Sequence, residues 1–192
     1  MKPRRDLVVI GAGQGGIDAL VSVLASLPAP FPAAILALVH GLPAGSPAAV
    51  LRSIGERIAL PIAYAEDDGQ IDSSTVRLAP WGCHLLLHAT GRMSMAGGPK
   101  LVRAGRPAID LLFQSAAEAC GSRVIGVVLS GPGDDGTDGL RAIKAHQGLA
   151  VVQSPADSQY PQMLESAILG DHPDFCPLLQ DIGPLLVRLV AD

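Results

Sequence analysis

Apolar runs and turns rich in glycine or proline alternate along the whole chain. Runs typical of buried strands occupy residues 7–10, 34–39, 61–64, 75–79, 84–88, 124–129 and 149–152. Segments with the apolar spacing of helices occupy residues 16–26, 46–55, 107–120, 136–146, 161–169 and 181–190. This alternation predicts an α/β fold with a doubly wound, mostly parallel sheet in a Rossmann-like three-layer arrangement. Residues 66–98 interrupt it and predict a short antiparallel hairpin insertion, built from two of these strands.

Composition narrows the class of protein. The 192 residues are 48% hydrophobic and 17% charged, which is typical of one globular domain covering residues 1–192. A net charge of −4 without any basic run disfavours a nucleic-acid partner, and no apolar stretch is long enough for membrane insertion. Cys83, Cys120 and Cys176 are widely spaced, which indicates reduced thiols and a cytoplasmic protein, and no metal site or cofactor is expected.

The loop at residues 11–16, called the glycine loop below, carries the first candidate chemistry. Gly11, Gly13 and Gly16 follow an apolar strand and spell the dinucleotide-binding pattern G-x-G-x-x-G. Its N–H groups and the following helix dipole favour a negative group. A dinucleotide site also needs an acidic residue about 20 residues later, to hold the ribose. No acidic residue lies between Asp18 and Glu56, so NAD or FAD binding stays only a remote alternative.

Two polar residues follow other strands of the predicted sheet. His40 ends the second strand, and Asp135 lies in the loop after the strand at 124–129. Both side chains have structural explanations, because Asp135 could cap the next helix and His40 could be a hydrogen-bonded strand-end residue. Their shared placement beside the glycine loop favours proton transfer instead, since they are two members of a Ser-His-Asp triad. We therefore expect them at adjacent strand edges and within hydrogen-bonding reach.

Seven blocks of sequence bring a known family into view. They read VVIGAGQGGIDAL, LALVHGLPAG, YAEDDGQI, VRLAPWGCHLLL, RPAIDLLFQSAA, VIGVVLSGPGDDGTDGL and the weaker QSPADSQYPQMLESAI. In this order, over about residues 6 to 180, the chain resembles the catalytic domain of the chemotaxis-type protein-glutamate methylesterases, the CheB family. The resemblance implies a doubly wound sheet, hydrolysis of glutamyl methyl esters and chemoreceptors as partners. A receiver domain usually precedes this domain in the family; with the first strand at Leu7, none is expected here.

The resemblance also implies roles for individual residues. His40 and Asp135 match the triad histidine and aspartate of the family. The family's G-A-S-T-G-G loop corresponds to the glycine loop, which places Gly13 at the nucleophilic serine and Gln14 at the following threonine. Pro132 replaces the methionine of the family's G-M-G-x-D-G loop and lacks an N–H donor. These changes predict a methylesterase domain of impaired or abolished activity, so it stays uncertain whether the chain is an enzyme.

Two kinds of function stay open. In an enzyme, His40 would activate a water in the space left by Gly13, or Ser46 or Ser130 would replace the missing hydroxyl. In a non-catalytic module, the site would bind a receptor segment or a small anion without turning it over. The residues expected to contact the bound group are Gly11, Gln14, Gly15, Gly16, Pro132 and Arg106. Arg106 would neutralise an anionic receptor segment or hold the loop before its helix, and His84 has a structural interpretation.

Overall fold

A six-stranded parallel sheet with helices on both faces organises the chain. The computed structural model describes residues 4–41, 46–97 and 108–191, without the side chain of Asp171. The strands are β1 (Leu7–Ala12), β2 (Ala34–Val39), β3 (Ile62–Tyr64), β4 (Val76–Leu78), β5 (His84–Leu87), β6 (Met93–Ala96), β7 (Val124–Val128) and β8 (Leu149–Val152). The helices are α1 (Gly16–Ala25), α2 (Pro47–Gly55), α3 (Ile109–Cys120), α4 (Thr137–Ala145), α5 (Gln162–Asp171) and α6 (Leu179–Ala191). The predicted fold class is confirmed.

The sheet has the order β3-β4-β2-β1-β7-β8, and its central strands are buried along their whole length. Such continuous apolar runs suit parallel strands that are covered on both faces. Alternate residues of β1 point into two cores: Val8 and Ile10 pack towards α1 and α6, whereas Val9 packs towards α3, α4 and α5. None of the helices in the described ranges is both long and apolar enough to cross a bilayer.

The antiparallel hairpin is present, but one of its strands differs from the prediction. The strand predicted at 75–79 corresponds to β4. It belongs to the main sheet, where it lies parallel to β2 with Val76 opposite Ile35. The hairpin instead pairs β5 with β6, placing His84 opposite Ala96. The sequence Met-Ser-Met-Ala of β6 is only four residues long and contains no β-branched or aromatic residue, which is why it went unrecognised as a strand.

The carboxyl ends of β2, β1 and β7 meet at one edge of the sheet. Strand β1 lies at the centre, with β2 on one side and β7 on the other, so the strand order reverses there. Such a switch point leaves a crevice between the loops that follow the strands. His40 follows β2 and Asp135 lies beyond β7, with β1 between them. The expectation that they lie on adjacent strands was therefore wrong, and the loop carrying Asp135 must cross the end of β1 to reach His40.

Helices α3 and α4 cross closely next to this edge. Gly139 of α4 is buried, and a Cβ added there would lie 2.6 Å from Phe113 Cβ and 3.1 Å from Asp110 Cα. Backbone-to-backbone contact of this kind needs a residue without a side chain. The crossing therefore brings the amino ends of both helices together, and the candidate site is built on them.

We predict that Gly139→Ala destabilises the protein by about 1–3 kcal/mol, because the added methyl group overpacks the α3–α4 contact. The stability lost to overpacking should exceed the stability gained from the higher helix propensity of alanine, which is about 1 kcal/mol. Urea unfolding measures the difference. The control is Gly97→Ala, since Gly97 is exposed and a Cβ there meets no atom within 4 Å. Equal stability of the two variants would contradict the prediction.

Candidate functional site

Asp135 lies at the amino end of α3 and accepts hydrogen bonds from its first N–H groups. The N–H of Ile109 donates to Oδ2 at 2.8 Å, and the N–H of Asp110 donates to Oδ1 at 3.0 Å. Gly133 and Gly136 on either side have φ values of 91° and 103°, which turn the chain back towards α3. Asp135 is therefore a helix cap, as one interpretation of the sequence had it, but for α3 rather than for the helix that follows it.

The same carboxylate holds His40. Nε2 of His40 lies 2.6 Å from Oδ2 of Asp135, and the His40 side chain is 24% exposed, against 8% for Asp135. The main chain of His40 is fixed as well, because its N–H donates to the carbonyl of Ala12 at 2.8 Å. The predicted contact between the two side chains is present. Its catalytic role stays a prediction.

Protonation states follow from these contacts. Burial by itself raises the pKa of Asp135, but the hydrogen bond from His40 and those from the Ile109 and Asp110 N–H groups outweigh it, so the pKa lies below its ordinary value. An ionised carboxylate can only accept, so Nε2 of His40 must carry the proton. In the neutral ring Nδ1 is then the acceptor. In the Ser-His-Asp template the aspartate bonds Nδ1 instead, so the two nitrogens exchange roles here.

A second carboxylate, Asp110, stands behind this pair. Its Oδ1 accepts from the N–H of Gly139 at 2.7 Å and from that of Gly136 at 2.9 Å. Burial, and also the negative charge of Asp135, raise the pKa of Asp110 from an ordinary 3.8 to about 6, although the two N–H donors lower it. The opposite shifts of the two aspartates show that Asp135 holds the more stable negative charge.

The space above Gly13 is filled by the protein itself. Gly13 is buried, and a Cβ added there would lie 2.6 Å from Gly131 Cα, 3.1 Å from Pro132 Cδ and 3.2 Å from Met163 Sδ. A Cβ added to Gly131 would in turn meet Sδ of Met163 and the main chain of Gly13. The main chains of the two glycines lie against each other, so a water lodged at position 13, one of the alternatives raised by the sequence, would meet the same atoms as a Cβ there.

Two N–H groups of the glycine loop are already engaged. The N–H of Gly13 donates to the carbonyl of Ser130 at 2.9 Å, and that of Gly16 donates to the carbonyl of Gly13 at 2.9 Å. The expected anion nest is consequently reduced to the exposed main chain of Gln14 and Gly15. Tyr160 flanks that remnant, because its hydroxyl accepts from the Gln14 amide at 3.4 Å.

The other glycines of the dinucleotide pattern also have neighbours within the protein. A Cβ on Gly11 would lie within 3.0 Å of three carbons of Ile109, at the start of α3. A Cβ on Gly16 would lie 2.5 Å from that of Ala12. Close internal packing accounts for all three glycines of the pattern without any nucleotide.

The remaining candidates have structural surroundings. Ser130 is 5% exposed, and its hydroxyl accepts from Ser158 Oγ at 2.9 Å and donates to the carbonyl of Tyr160 at 3.4 Å, which are structural contacts at the end of a strand. Ser46 is exposed and precedes α2 without a side-chain capping bond. His84 is buried, and its Nδ1 accepts the N–H of Ala108 at 3.2 Å, which anchors the chain before α3. Arg106 lies outside the described residues.

No group of three or more histidine, cysteine or acidic side chains suited to a metal ion occurs within the described ranges. The site thus consists of one histidine, two carboxylates and two apposed loops. An imidazole such as that of His40 can accept or donate a proton, and the glycine at position 13 carries no hydroxyl.

Comparison with known proteins identifies the family. The family model described as CheB methylesterase matches residues 8–186. The chain belongs to the CheB methylesterase family. Among solved structures, the fold is similar to that of the CheB methylesterase catalytic domain of Thermotoga maritima, with a TM-score of 0.90 and 29% sequence identity. The match covers 98% of this chain and 100% of the Thermotoga maritima chain.

Curated relatives agree with this assignment. A Leptospira interrogans protein named as a candidate protein-glutamate methylesterase/protein-glutamine glutaminase is 36% identical over 96% of this CheB-family chain and 94% of its own length. The protein-glutamate methylesterase FrzG of Myxococcus xanthus is 37% identical over 98% of this chain, which spans only 56% of FrzG.

Sequence reasoning missed three residues of this CheB-family site. From the sequence, Asp110 is only an acidic residue in the first turn of a helix, a position at which a carboxylate normally stabilises the dipole of its own helix. Met163 and Tyr160 lie in the weakest of the seven sequence blocks, and nothing local connects them to the glycine loop, about 150 residues away in sequence. All three became visible only when the loops were brought together.

We predict that Asp110→Asn removes a pH dependence of stability. Because its pKa of about 6 in the folded protein lies above the ordinary 3.8, wild-type stability from this group is greatest at low pH and falls as the pH rises between about 4 and 6. Asparagine keeps an acceptor oxygen but cannot ionise. The free energy of unfolding of Asp110→Asn, compared with that of wild type, should rise by about 1–2 kcal/mol from the lower to the upper end of this pH range. This figure is smaller than the full shift of the pKa would give, because solvent screens a partly exposed group.

Chemical unfolding at several pH values measures this effect. Asp135 contributes the opposite slope, with stability lost as the pH falls through its lowered pKa, and that slope is common to both proteins. The matched control is Asp134→Asn, an exposed aspartate of the same loop. A stability difference between Asp110→Asn and wild type that does not vary with pH would contradict the prediction.

Proposed function

We propose that this chain is a CheB-family domain that binds a chemoreceptor segment in the cytoplasm and does not hydrolyse glutamyl esters through an acyl-enzyme. The observation that carries the proposal is the contact between Gly13 and Gly131. A serine at position 13 would place its Cβ 2.6 Å from Gly131 Cα, so both the hydroxyl and the room for it are absent. Loss of a triad nucleophile typically leaves only about 10³–10⁴-fold acceleration over water.

The retained histidine suits recognition of a neutral donor. In the neutral ring, with Nε2–H donating to Asp135, Nδ1 of His40 is free of that contact and can accept a hydrogen bond, and the side chain is partly exposed. A glutamine carboxamide offers N–H donors, whereas a glutamyl methyl ester or an ionised glutamate offers none. We therefore propose a glutaminyl side chain of the receptor segment as the group bound at His40. This chemistry fits the glutaminase part of the name of the Leptospira relative.

A hydrolase without a serine is the second candidate. The 2.6 Å contact between His40 and Asp135 favours it, because an oriented imidazole can remove a proton from a water. Direct attack by water would still need a stabilised oxyanion, and Pro132 offers no N–H there. The crowding at Gly13 removes the obvious position for such a water, so we rank this candidate second.

Dinucleotide binding is a remote third. The pyrophosphate of NAD or FAD must approach the second glycine of the pattern closely. In this chain Gly13 is buried under Gly131 and Met163, and its N–H donates to Ser130. The acidic residue for the ribose is missing as well.

We predict that the purified protein does not demethylate methylated receptors, and that Gly13→Ser restores little and lowers stability. The reason is steric, since the new side chain must displace the Gly131 main chain. The triple variant with Gln14→Thr and Pro132→Met should still carry this clash at Gly131. Methanol release from methylated receptor measures turnover in wild type and all variants.

The control in that assay is His40→Ala. If wild-type protein turns over and His40→Ala abolishes the turnover, the proposal of a non-hydrolytic domain is overturned in favour of the second candidate. Turnover that is unchanged in His40→Ala would come from a contaminating esterase and not from the His40 site. That result would support the proposal.

We also predict that the protein binds a receptor-derived peptide containing glutamine more tightly than the same peptide with a glutamyl methyl ester. Loss of one hydrogen bond to a partly exposed acceptor corresponds to roughly a 3- to 10-fold change in affinity. Calorimetric titration measures it. His40→Ala should remove the difference, whereas His146→Ala, at the exposed end of α4, should preserve it.

NADH and FAD provide the opposing probes in the same titration. Heat of binding for either dinucleotide that is lost in Gln14→Ala would support the third candidate against our proposal. Equal affinity for both peptides in wild type would remove the role given to Nδ1 of His40.

A further inference from the structure

Two carboxylates cap each other's helices across the α3–α4 crossing. Asp110, in the first turn of α3, accepts from Gly136 and Gly139 at the start of α4. Asp135, just before α4, accepts from Ile109 and Asp110 at the start of α3. Four hydrogen bonds of 2.7–3.0 Å thus run between the two amino ends, two in each direction. We call this arrangement the reciprocal cap.

Neither helix has an acceptor of its own at the N-cap position. The N-cap residue of α3 is Ala108 and that of α4 is Gly136, and neither makes a side-chain capping bond. The first N–H groups of a helix need outside acceptors, and their partial positive charge favours a carboxylate. Each aspartate therefore supplies what the other helix lacks. The reciprocal cap is part of the packing of both helices, not a surface contact.

We propose that Asp110 is a positioning residue that aims Asp135 at His40. Asp110 holds the N–H of Gly136, and Gly136 directly follows Asp135 in the chain. Gly136 has a φ of 103°, its carbonyl accepts from the N–H of Leu140 at 2.9 Å, and its N–H donates to Asp110 at 2.9 Å. The bond to Asp110 therefore holds the peptide group that joins Gly136 to Asp135, and with it the direction in which the Asp135 side chain leaves the loop. The inference concerns the geometry of the pair and does not depend on what the site binds.

The arrangement predicts what matters about residue 110. Both N–H groups donate to the same oxygen, Oδ1. An asparagine can present one carbonyl oxygen in that position, whereas alanine presents none and glutamate places its oxygens one methylene further out. An acceptor at the right place, and not the charge, is therefore the property that positions Asp135.

The experiment follows Asp135 and His40 directly by NMR. The carboxyl carbon of Asp135 reports its pKa, and the Nε2 proton of His40 reports the hydrogen bond between the two side chains. In Asp110→Ala we expect the Asp135 pKa to rise towards 3.8 and the Nε2 proton signal to be lost through exchange with water. In Asp110→Asn both should remain as in wild type.

Two further variants keep the test decisive. Asp134→Ala is the matched control, an exposed aspartate of the same loop, and should change neither signal. If Asp110→Ala does not fold, Asp110→Glu takes its place, because it keeps the charge and displaces the acceptor. Destabilisation by either variant with both signals unchanged would show a helix cap without a positioning role and would overturn the proposal. Loss of both signals in Asp110→Asn would overturn the role given to the acceptor oxygen.

Discussion

The main chains of Gly13 and Gly131 lie in direct contact, and the character of the whole site depends on that contact. It joins the loop after β1 to the loop after β7 at the point where the sheet changes direction. Met163 closes it from one side, with its N–H donating to the carbonyl of Gly131 at 3.0 Å. Because protein interiors tolerate little extra volume, a side chain at either glycine requires movement of main chain rather than of a side-chain tip.

The retained part of the site depends on a different constraint, the need to satisfy two helix amino ends that meet. Asp135 caps α3 and Asp110 caps α4, and the position of the Asp135 carboxylate then determines where His40 is held. The aspartate that caps α3 thus also orients the histidine. The contact between His40 and Asp135 is therefore explained by helix capping as well as by proton transfer.

Periodicity and turn residues predicted the fold well, because buried parallel strands and amphipathic helices are encoded in local patterns. The hairpin shows the limit of this approach: two neighbouring apolar runs were paired with each other, although one of them, β4, had a better place beside β2. At the site, the match of His40 and Asp135 was predictable from motif order. The closure over Gly13 was not, because it depends on Gly131 and Met163, whose approach is a property of the assembled loops.

The reciprocal cap has an electrostatic consequence for any ligand. Two helix amino ends at one edge of a sheet would ordinarily attract an anion, but here the protein's own carboxylates occupy those positions. The partial positive charge of the two helix amino ends is thus already neutralised by the carboxylates of Asp110 and Asp135. Binding at His40 should depend on the fit of hydrogen bonds rather than on long-range attraction, and its affinity should be nearly insensitive to ionic strength.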